Sequence, residues 1–228
     1  GASVSINFDP TSRFSVIANG VSYSFTNGVR IVPADLNSIL VFENWQNIIA
    51  SGENDNRQHG ILEFRYLEDR KRLWAINELP LELYVKGIAE IPASWPLEVQ
   101  KAQAVAARTY AAYYFLAGGK HASQEHILNA GEGDQVYHGV GAELRRPVLS
   151  QAVEATRGVV VTYSGGVVST PYYGQSDGRT KSWAEVYGST NRPWLQSVEA
   201  PYDVGRNLRG HGIGMSQMDA FGMAKAGA

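Results

Sequence analysis

The sequence predicts an α+β fold, in which antiparallel strands and hairpins lie beside one long helix and the N-terminal part is rich in strands. Two observations carry this prediction. Apolar and polar residues alternate over about the first sixty positions, whereas the segment from Pro96 to Leu116 is rich in alanine and other helix formers. Of the 228 residues, 44% are hydrophobic and 18% are charged, so the chain is long and apolar enough for one or two compact cores.

The N-terminal residues are predicted to form short antiparallel strands. Val4–Phe8 and Phe14–Ile17 alternate as half-buried strands do. Thr26–Val29 contains the Asn-Gly pair that is typical of a hairpin turn. The polar run Ser51–Asn56 then indicates a loop or a module boundary.

A second domain is predicted over residues 59–228. It opens with a hairpin, because Ile61–Tyr66 and Arg72–Ile76 are strand-like runs joined across a short polar turn. Its last residues, Gly222–Ala228, stop just as a helix begins, which indicates a truncation at the C-terminus. Residues 1–58 are then a β-rich N-terminal part or a small module.

The long helix is predicted from about Pro96 to Leu116. Proline is tolerated in a first helical turn, and a Gly-Gly pair ends the pattern. Lys101 and Arg108 lie seven positions apart and therefore share one face of the helix. The common explanation of such a pair is a solvated surface, and the alternative is a cationic stripe that points toward a site before the helix.

The remaining predicted elements are shorter. Pro147–Thr156 is helix-like, Val159–Tyr163 is strand-like, and Ser164–Gly166 forms a hairpin turn into Val167–Thr170. The loop Tyr172–Thr180 contains glycine and polar residues, which allow backbone amides to approach a ligand but serve turn geometry equally well.

Charge and cysteine content exclude several classes of function. The formal net charge is −2 and there is no basic block, which argues against nucleic-acid binding because phosphate contacts need clustered Lys and Arg. The chain has no cysteine, so neither a disulfide framework nor a thiolate metal site is possible. No apolar run approaches the ~20 residues that span a bilayer, and the first residues lack the features of a signal peptide.

Glu90 is the most informative acidic residue of the sequence. It lies among Ile91, Pro92 and Trp95, directly before the long helix. A carboxyl group with apolar neighbours loses hydration of its charged form, so we expect its pKa to rise. A carboxyl that stays protonated near neutral pH is what general acid catalysis requires.

His211 lies in an unusual setting, with Gly210, Gly212 and Gly214 around it. The glycines predict an exposed, tightly turned segment that leads into a helix, whose free amides suit an anionic or hydroxyl-rich ligand. The segment is neither a phosphate loop nor the dinucleotide fingerprint. A single histidine is usually structural, and here the structural and functional interpretations carry equal weight.

Several of these segments together resemble the SpoIID family. The matching motifs, in order along the chain, are Leu79–Pro96, Lys101–Tyr110, Asp134–Tyr137, Ser176–Thr180 and Gly210–Gln217. The similarity runs from about His59 to the end. Proteins of this family are peptidoglycan lytic transglycosylases of sporulation, with relatives described as amidase enhancers.

The resemblance implies cleavage of glycan strands between N-acetylmuramic acid and N-acetylglucosamine, with Glu90 as the catalytic acid. A lytic transglycosylase needs one carboxyl group, which protonates the leaving oxygen and then accepts a proton from the muramyl primary hydroxyl as an anhydro ring closes. Ordinary glycosidases use two carboxyl groups. If Asp134 or Asp177 faces Glu90, hydrolysis becomes an alternative.

The resemblance also implies a set of substrate-binding residues. Lys101 and Arg108 are expected to contact the lactyl-peptide side of the substrate, and Tyr137 is expected to stack on a sugar ring. The other expected contacts are made by Ser176, Thr180, His211, Ser216 and Gln217. For Asp134, Thr180 and Ser216, capping of loops and helices is the preferred interpretation.

The chain also departs from the family. Some members hold zinc with His and Cys, but this chain has no cysteine and carries Gly174-Gln175 where others often have His-Ser. We therefore expect no metal and no cofactor. The expected partners are peptidoglycan glycan strands and a cell-wall amidase, with no nucleic acid. The expected location is outside the cytoplasm, at the cell wall or cell surface.

Two alternatives to an enzyme are open at this point. One is a non-catalytic module that binds peptidoglycan and enhances a partner amidase. The other is a structural β-rich domain of the cell surface, which would have no affinity for glycan.

Overall fold

A computed structural model describes residues 3–11, 13–43 and 52–227. By its internal contacts the chain forms two compact units: the first comprises residues 1–42 and 57–80, and the second comprises residues 43–56 and 81–228. The assignment of residues 1–58 and 59–228 as functional domains stays a prediction. Ser51, where the predicted polar break begins, lies outside the described residues.

The first unit consists of short antiparallel strands. They are β1 (Val4–Asp9), β2 (Arg13–Ala18), β3 (Val21–Phe25), β4 (Val29–Ile31), β5 (Leu40–Val41), β6 (Arg57–Gln58), β7 (Ile61–Leu67) and β8 (Arg72–Glu78). They pair as the sheets β1-β2-β3, β4-β7-β8 and β5-β6. Phe14, Val16 and Val29 form the buried core of this unit, because alternate residues of each strand point to the same face.

The Asn-Gly signal at Thr26–Val29 does not close a hairpin. Strand β3 pairs with β2, whereas β4 pairs with β7, so this turn carries the chain from one sheet to another. The hairpin turn between β2 and β3 is instead Asn19-Gly20, where both residues have positive φ (50° and 77°), as the tightest hairpins require. The predicted hairpin of residues 61–76 is confirmed as β7-β8.

The second unit is built mainly from helices. They are α1 (Leu81–Lys86), α2 (Leu97–Leu116), α3 (Gly139–Arg145), α4 (Pro147–Ala155), α5 (Trp183–Tyr187) and α6 (Gln217–Ala226). Short strands accompany them: β9 (Thr162–Tyr163), β10 (Gly166–Val167), β11 (Tyr172–Tyr173) and β12 (Met215–Ser216). Strands β9 and β10 pair antiparallel, and β11 and β12 pair parallel.

The predicted long helix is confirmed as α2. It begins after Pro96, whose fixed φ suits a helix start, and it ends before Gly118, whose φ of +85° takes the chain out of the helix. Val85, Ala104, Leu149 and Val153 form the buried cluster that packs α1, α2 and α4 together. The α+β prediction is therefore confirmed.

Asp55 belongs to the second unit and is fully buried there. Its carboxylate lies 2.7 Å from Nδ1 of His138 and 2.7 Å from Nη2 of Arg145. Gly141 leaves the space that the carboxylate occupies, since a Cβ there would lie 1.9 Å from Oδ1 of Asp55. The residues just before β6 are thus fixed to helix α3 by a buried charge.

Within the described ranges, no helix combines the length and the apolar character needed to cross a bilayer.

Candidate active site

Glu90 follows helix α1 in a segment that is held against residues 135–138. The N–H of Ala89 donates to the carbonyl of Val136 at 2.8 Å, and the N–H of His138 donates to the carbonyl of Gly87 at 2.8 Å. Tyr137 packs so closely on Gly87 that a Cβ there would lie 2.3 Å from its ring. The segment therefore needs glycine at position 87.

The Glu90 carboxyl is partly buried and is held through one oxygen. Its Oε1 accepts hydrogen bonds from the N–H of Val136 at 2.6 Å and from the hydroxyl of Tyr172 at 3.3 Å. Burial raises the pKa of Glu90 and outweighs these two hydrogen bonds, which lower it. The direction of this pKa shift is the one that the sequence predicted.

Two charged neighbours act on Glu90 in opposite directions. The negative charge of Glu132, an exposed residue, raises the pKa of Glu90, and the positive charge of Arg146 lowers it. Arg146 also donates to the carbonyl of Ile91, the residue after Glu90. Neither residue was predicted from the sequence, because their proximity to Glu90 depends on the tertiary fold.

The ring of Trp95 has its own partner in helix α6. Its ring stacks on Phe221 of α6, with the centroids 4.7 Å apart and the planes at 29°. Ile91, the residue that follows Glu90 in the sequence, is 3% exposed and belongs to the hydrophobic core. Trp95 therefore packs the start of α2 against α6, and the contacts of the Glu90 carboxyl are made by Val136 and Tyr172.

A chain of hydrogen bonds runs from Glu90 into the interior. Nε2 of Gln135 donates to the Tyr172 hydroxyl at 3.0 Å and to the carbonyl of Ala107 at 3.2 Å. The hydroxyl of Tyr84 donates to Oε1 of Gln135 at 2.9 Å. The sequence analysis assigned no role to Tyr172 or Tyr84, and it included Gln135 only as a member of the motif Asp134–Tyr137. A glutamine inside a motif is too common to predict such a contact.

His211 supports the backbone of Tyr172. It forms a hydrogen bond with that backbone, its Nδ1 accepts from the N–H of Ile213 at 3.0 Å, and its ring lies 5.5 Å from that of Tyr173. Part of the ring reaches solvent, yet burial of the rest lowers the pKa of His211, and nearby Lys120 lowers it further. The structure thus connects His211 to Glu90 through Tyr172.

Arg108 is fully buried and does not reach Glu90. Its Nε and Nη2 donate to the carboxylate of Glu82, at 3.0 Å and 2.7 Å from the nearer oxygens. Nη2 also donates to the carbonyl of Val153, and Nη1 donates to Thr156 and to the carbonyl of Val159. All five donors of the guanidinium are used within the protein.

Lys101 lines an open groove of about 560 Å³ beside α2. Its Nζ donates to Glu98 at 2.8 Å. Trp194 and Pro171 line the same groove, and Pro171 directly precedes Tyr172 in the chain. Glu90 itself does not line this groove; Tyr172, which donates to the Glu90 carboxyl, follows the lining residue Pro171 in the chain.

Ser176 and Ser216 meet at one carboxylate. Both hydroxyls donate to Oδ2 of Asp203, which is fully buried, and the N–H of Ser176 donates to the same oxygen at 2.8 Å. The Ser216 side chain also caps α6. Asp203 thus joins the loop at residue 176 to the segment around His211, and sequence reasoning missed it.

Thr180, Gln217 and Tyr137 are held by other protein groups. The Thr180 hydroxyl accepts from the N–H of Val198 at 2.9 Å, and Nε2 of Gln217 donates to Gln103 of α2 at 3.2 Å. The Tyr137 ring stacks on Tyr84 with the centroids 5.2 Å apart.

The Asp134 carboxylate is bound through both oxygens. It accepts from Nζ of Lys120, from the N–H of Asn129 at 2.7 Å and from Nε2 of His121 at 2.6 Å. Burial raises the pKa of Asp134, but these hydrogen bonds lower it further than burial raises it. Asp134 therefore stays ionised in its own network, and Asp177 is exposed on the loop after Ser176.

The residues that the structure describes contain no group of three or more His, Asp or Glu side chains arranged to hold a metal ion.

Comparisons with known proteins agree on one family. The SpoIID family model, described as Stage II sporulation protein, matches residues 69–163. An uncharacterised protein of Brachyspira hyodysenteriae is 38% identical over 152 residues, which are 65% of this chain and 39% of that protein. Stage II sporulation protein D of Bacillus subtilis is 30% identical over 141 residues, 57% of this chain and 41% of that protein.

A further relative carries a different description. The Amidase enhancer of Bacillus subtilis is 34% identical over 114 residues, which are 46% of this chain and 14% of that protein. The chain spans about two fifths or less of the length of these curated relatives.

Proposed function

We propose that the chain is a lytic transglycosylase of the SpoIID family, whose model matches residues 69–163, and that it cleaves peptidoglycan glycan strands between N-acetylmuramic acid and N-acetylglucosamine. Glu90 acts as both acid and base. The observation that carries the proposal is the setting of this carboxyl group: one oxygen accepts two hydrogen bonds, and burial raises the pKa of Glu90. The proposed location of the enzyme is outside the cytoplasm, at the cell wall or cell surface.

The proposed reaction consumes no water. Glu90 gives its proton to the glycosidic oxygen, the bond from that oxygen to C1 of the muramyl residue breaks, and its electron pair stays on the leaving oxygen. The carboxylate of Glu90 then takes the proton of the muramyl 6-hydroxyl while O6 bonds to C1. The products are a free 4-hydroxyl and a 1,6-anhydro ring, and Glu90 is protonated again.

The surroundings of Glu90 support both halves of this cycle. Burial favours the protonated acid before the reaction, and the nearby charge of Arg146 stabilises the carboxylate that exists between the two proton transfers. Asp134 is bound through both oxygens by its own partners, so it is a poor candidate for a second catalytic carboxylate. Glu132 is the better candidate if hydrolysis competes.

Among the residues that the resemblance implied for substrate binding, we retain Lys101 and His211 as contacts. Lys101 lines a groove, and part of the His211 ring reaches solvent. For Arg108, Ser176, Thr180, Ser216 and Gln217 we propose that they shape the site, because the protein itself supplies their hydrogen-bond partners. Tyr137 belongs with them, since its ring stacks on Tyr84.

The test compares the parent protein with Glu90→Gln and with Glu199→Gln, a matched control at an exposed glutamate on another loop. Each is incubated with purified glycan strands free of peptides, and mass spectrometry counts anhydro-muramyl ends. We expect equal product from the parent and the control, and at least ~10²-fold less from Glu90→Gln, since general acid catalysis contributes about that much. Equal product from all three contradicts the role of Glu90. Reducing ends in place of anhydro ends indicate hydrolysis.

The second candidate is a non-catalytic module that binds peptidoglycan and enhances an amidase, and the relative named an amidase enhancer favours it. In that case the parent gives no anhydro ends, yet both the parent and Glu90→Gln increase the rate of a purified cell-wall amidase. Sedimentation with insoluble peptidoglycan separates both candidates from a structural surface domain, which would stay in the supernatant.

A further inference from the structure

In the chain of hydrogen bonds from Glu90 through Tyr172 and Gln135 to Ala107, the chemistry of the two end groups determines which group donates at each step. At the inner end lies the carbonyl of Ala107, 3.2 Å from the side-chain amide of Gln135. A carbonyl oxygen only accepts hydrogen bonds, so the amide atom that faces it must be Nε2. Oε1 of Gln135 then faces Tyr84 and accepts from the Tyr84 hydroxyl at 2.9 Å.

This orientation determines the role of the next hydroxyl. The second N–H of Nε2 points at the oxygen of Tyr172, 3.0 Å away, and only an acceptor fits there. A phenol carries a single proton, so the Tyr172 hydroxyl that accepts from Gln135 has its own proton available for Oε1 of Glu90 at 3.3 Å. Burial raises the pKa of both tyrosines well above the ordinary value, which keeps both phenols protonated.

The consequence for Glu90 concerns its two oxygens. Oε1 already accepts from the N–H of Val136 at 2.6 Å and from Tyr172. A protonated carboxyl accepts hydrogen bonds mainly through its carbonyl oxygen, so Oε1 is the carbonyl oxygen and the proton is carried by Oε2.

We propose that Gln135 is a positioning residue that fixes the Tyr172 hydroxyl as a donor to Glu90, so that Oε2 alone exchanges a proton with the substrate. The inference rests on the proposed function for its last clause only. Gln135 is 0% exposed and lies two hydrogen bonds from the carboxyl, so it acts through Tyr172 and not on the substrate.

The test measures the titration of Glu90 directly, without substrate. Protein labelled with ¹³C in the glutamate carboxyl groups is titrated by NMR, and the resonance that is missing in Glu90→Gln identifies Glu90. Tyr172→Phe removes the donor. Gln135→Met removes the amide and with it the N–H that faces the Tyr172 oxygen, without adding a charge.

Because a hydrogen bond donated to a carboxylate stabilises the charged form, losing it raises the pKa of Glu90. We expect the pKa to increase in the order parent, Gln135→Met, Tyr172→Phe, because the first variant frees the donor to turn and the second removes it. Tyr84→Phe is the matched control, since it removes a hydroxyl of the same chain and leaves both Gln135 donors in place; there the titration of Glu90 stays as in the parent. In Tyr172→Phe, kcat/KM for glycan cleavage falls about tenfold.

Thermal unfolding of each variant separates positioning from packing. A purely structural role of Gln135 lowers the melting temperature and leaves the titration of Glu90 where it is in the parent, and that result overturns the inference. An unchanged titration in Tyr172→Phe overturns it as well, which keeps the test decisive if Gln135→Met does not fold. If the titrations follow the expected order but the parent makes no anhydro ends, the donor chain stands and the proposed function fails.

Discussion

Arg108 and Glu82 form a buried ion pair that joins α2 to α1, with Nη2 of Arg108 2.7 Å from Oε2 of Glu82. The Arg108 side chain is 1% exposed and that of Glu82 is 16% exposed. Burial raises the pKa of Glu82, but hydrogen bonds from Arg108 and from the N–H of Gly158 lower it more, so the pair stays charged. Arg108, whose spacing from Lys101 suggested a solvated surface residue, is therefore a buried structural residue that joins two helices of the second unit.

Removing Arg108 is expected to destabilise the protein strongly. In Arg108→Met, Glu82 keeps a partly buried charge without its partner, and the free energy of unfolding falls by about 3–5 kcal/mol. Arg108→Lys restores the charge but not the five donors, so it recovers only part of the loss. Denaturation in urea measures both, and a loss below about 1 kcal/mol in Arg108→Met would contradict this assignment.

Glu90→Gln is expected to change how stability depends on pH. The pKa of Glu90 is raised in the folded protein, so its favourable contribution is complete below its unfolded value and is lost as the pH rises through the folded value. Glutamine does not ionise and loses nothing. We therefore expect the melting temperature of Glu90→Gln, relative to that of the parent, to be higher at pH 8 than at pH 4. A constant difference at the two pH values would show that the carboxyl is not perturbed.

Gly87→Ala is expected to disturb the site, whereas Gly131→Ala serves as its control. A Cβ at residue 87 would lie 2.3 Å from the Tyr137 ring, and overpacking of this kind costs about 1–3 kcal/mol. At residue 131 a Cβ meets nothing within 4 Å, so stability changes by less than about 0.5 kcal/mol. Urea denaturation compares the two, and equal values would mean that residues 87 and 137 separate easily.

Glu132→Gln is expected to lower the pKa of Glu90, because the negative charge of Glu132 raises it. The protonated fraction at neutral pH then falls, and the high-pH limb of the pH–rate profile moves to lower pH. Glu132 is exposed, so the change in rate at pH 7 stays within about fivefold and shrinks in high salt. A profile that does not move at low salt would show that the two carboxyl groups do not interact.

Local signals predicted the long helix well. Helix α2 combines strong helix formers with a proline before it and glycine after it, so the helix and its ends are specified within about twenty residues of sequence. The hairpin β7-β8 was predicted for the same reason. The raised pKa of Glu90 was also predictable from the sequence, because Ile91, the next residue in the chain, is apolar and part of the buried core.

Partners that lie far apart in the sequence were not predictable. Asn27-Gly28 has the composition of a hairpin turn, but whether the flanking strands pair with each other depends on β7, more than thirty residues later. Arg108 meets Glu82 and Glu90 meets Tyr172 only after the helices have packed. Single-residue properties predict burial and charge, whereas the identity of a partner requires the three-dimensional arrangement.

Asp55 has a practical consequence for anyone who prepares a shortened version of this protein. It precedes strands of the first unit in the sequence, but its carboxylate fills the space left by Gly141 and pairs with His138 and Arg145. Recombinant expression of residues 59–228 alone would remove the Asp55 carboxylate and leave Arg145 without its buried counter-charge. A recombinant fragment that begins at residue 52 would retain this carboxylate.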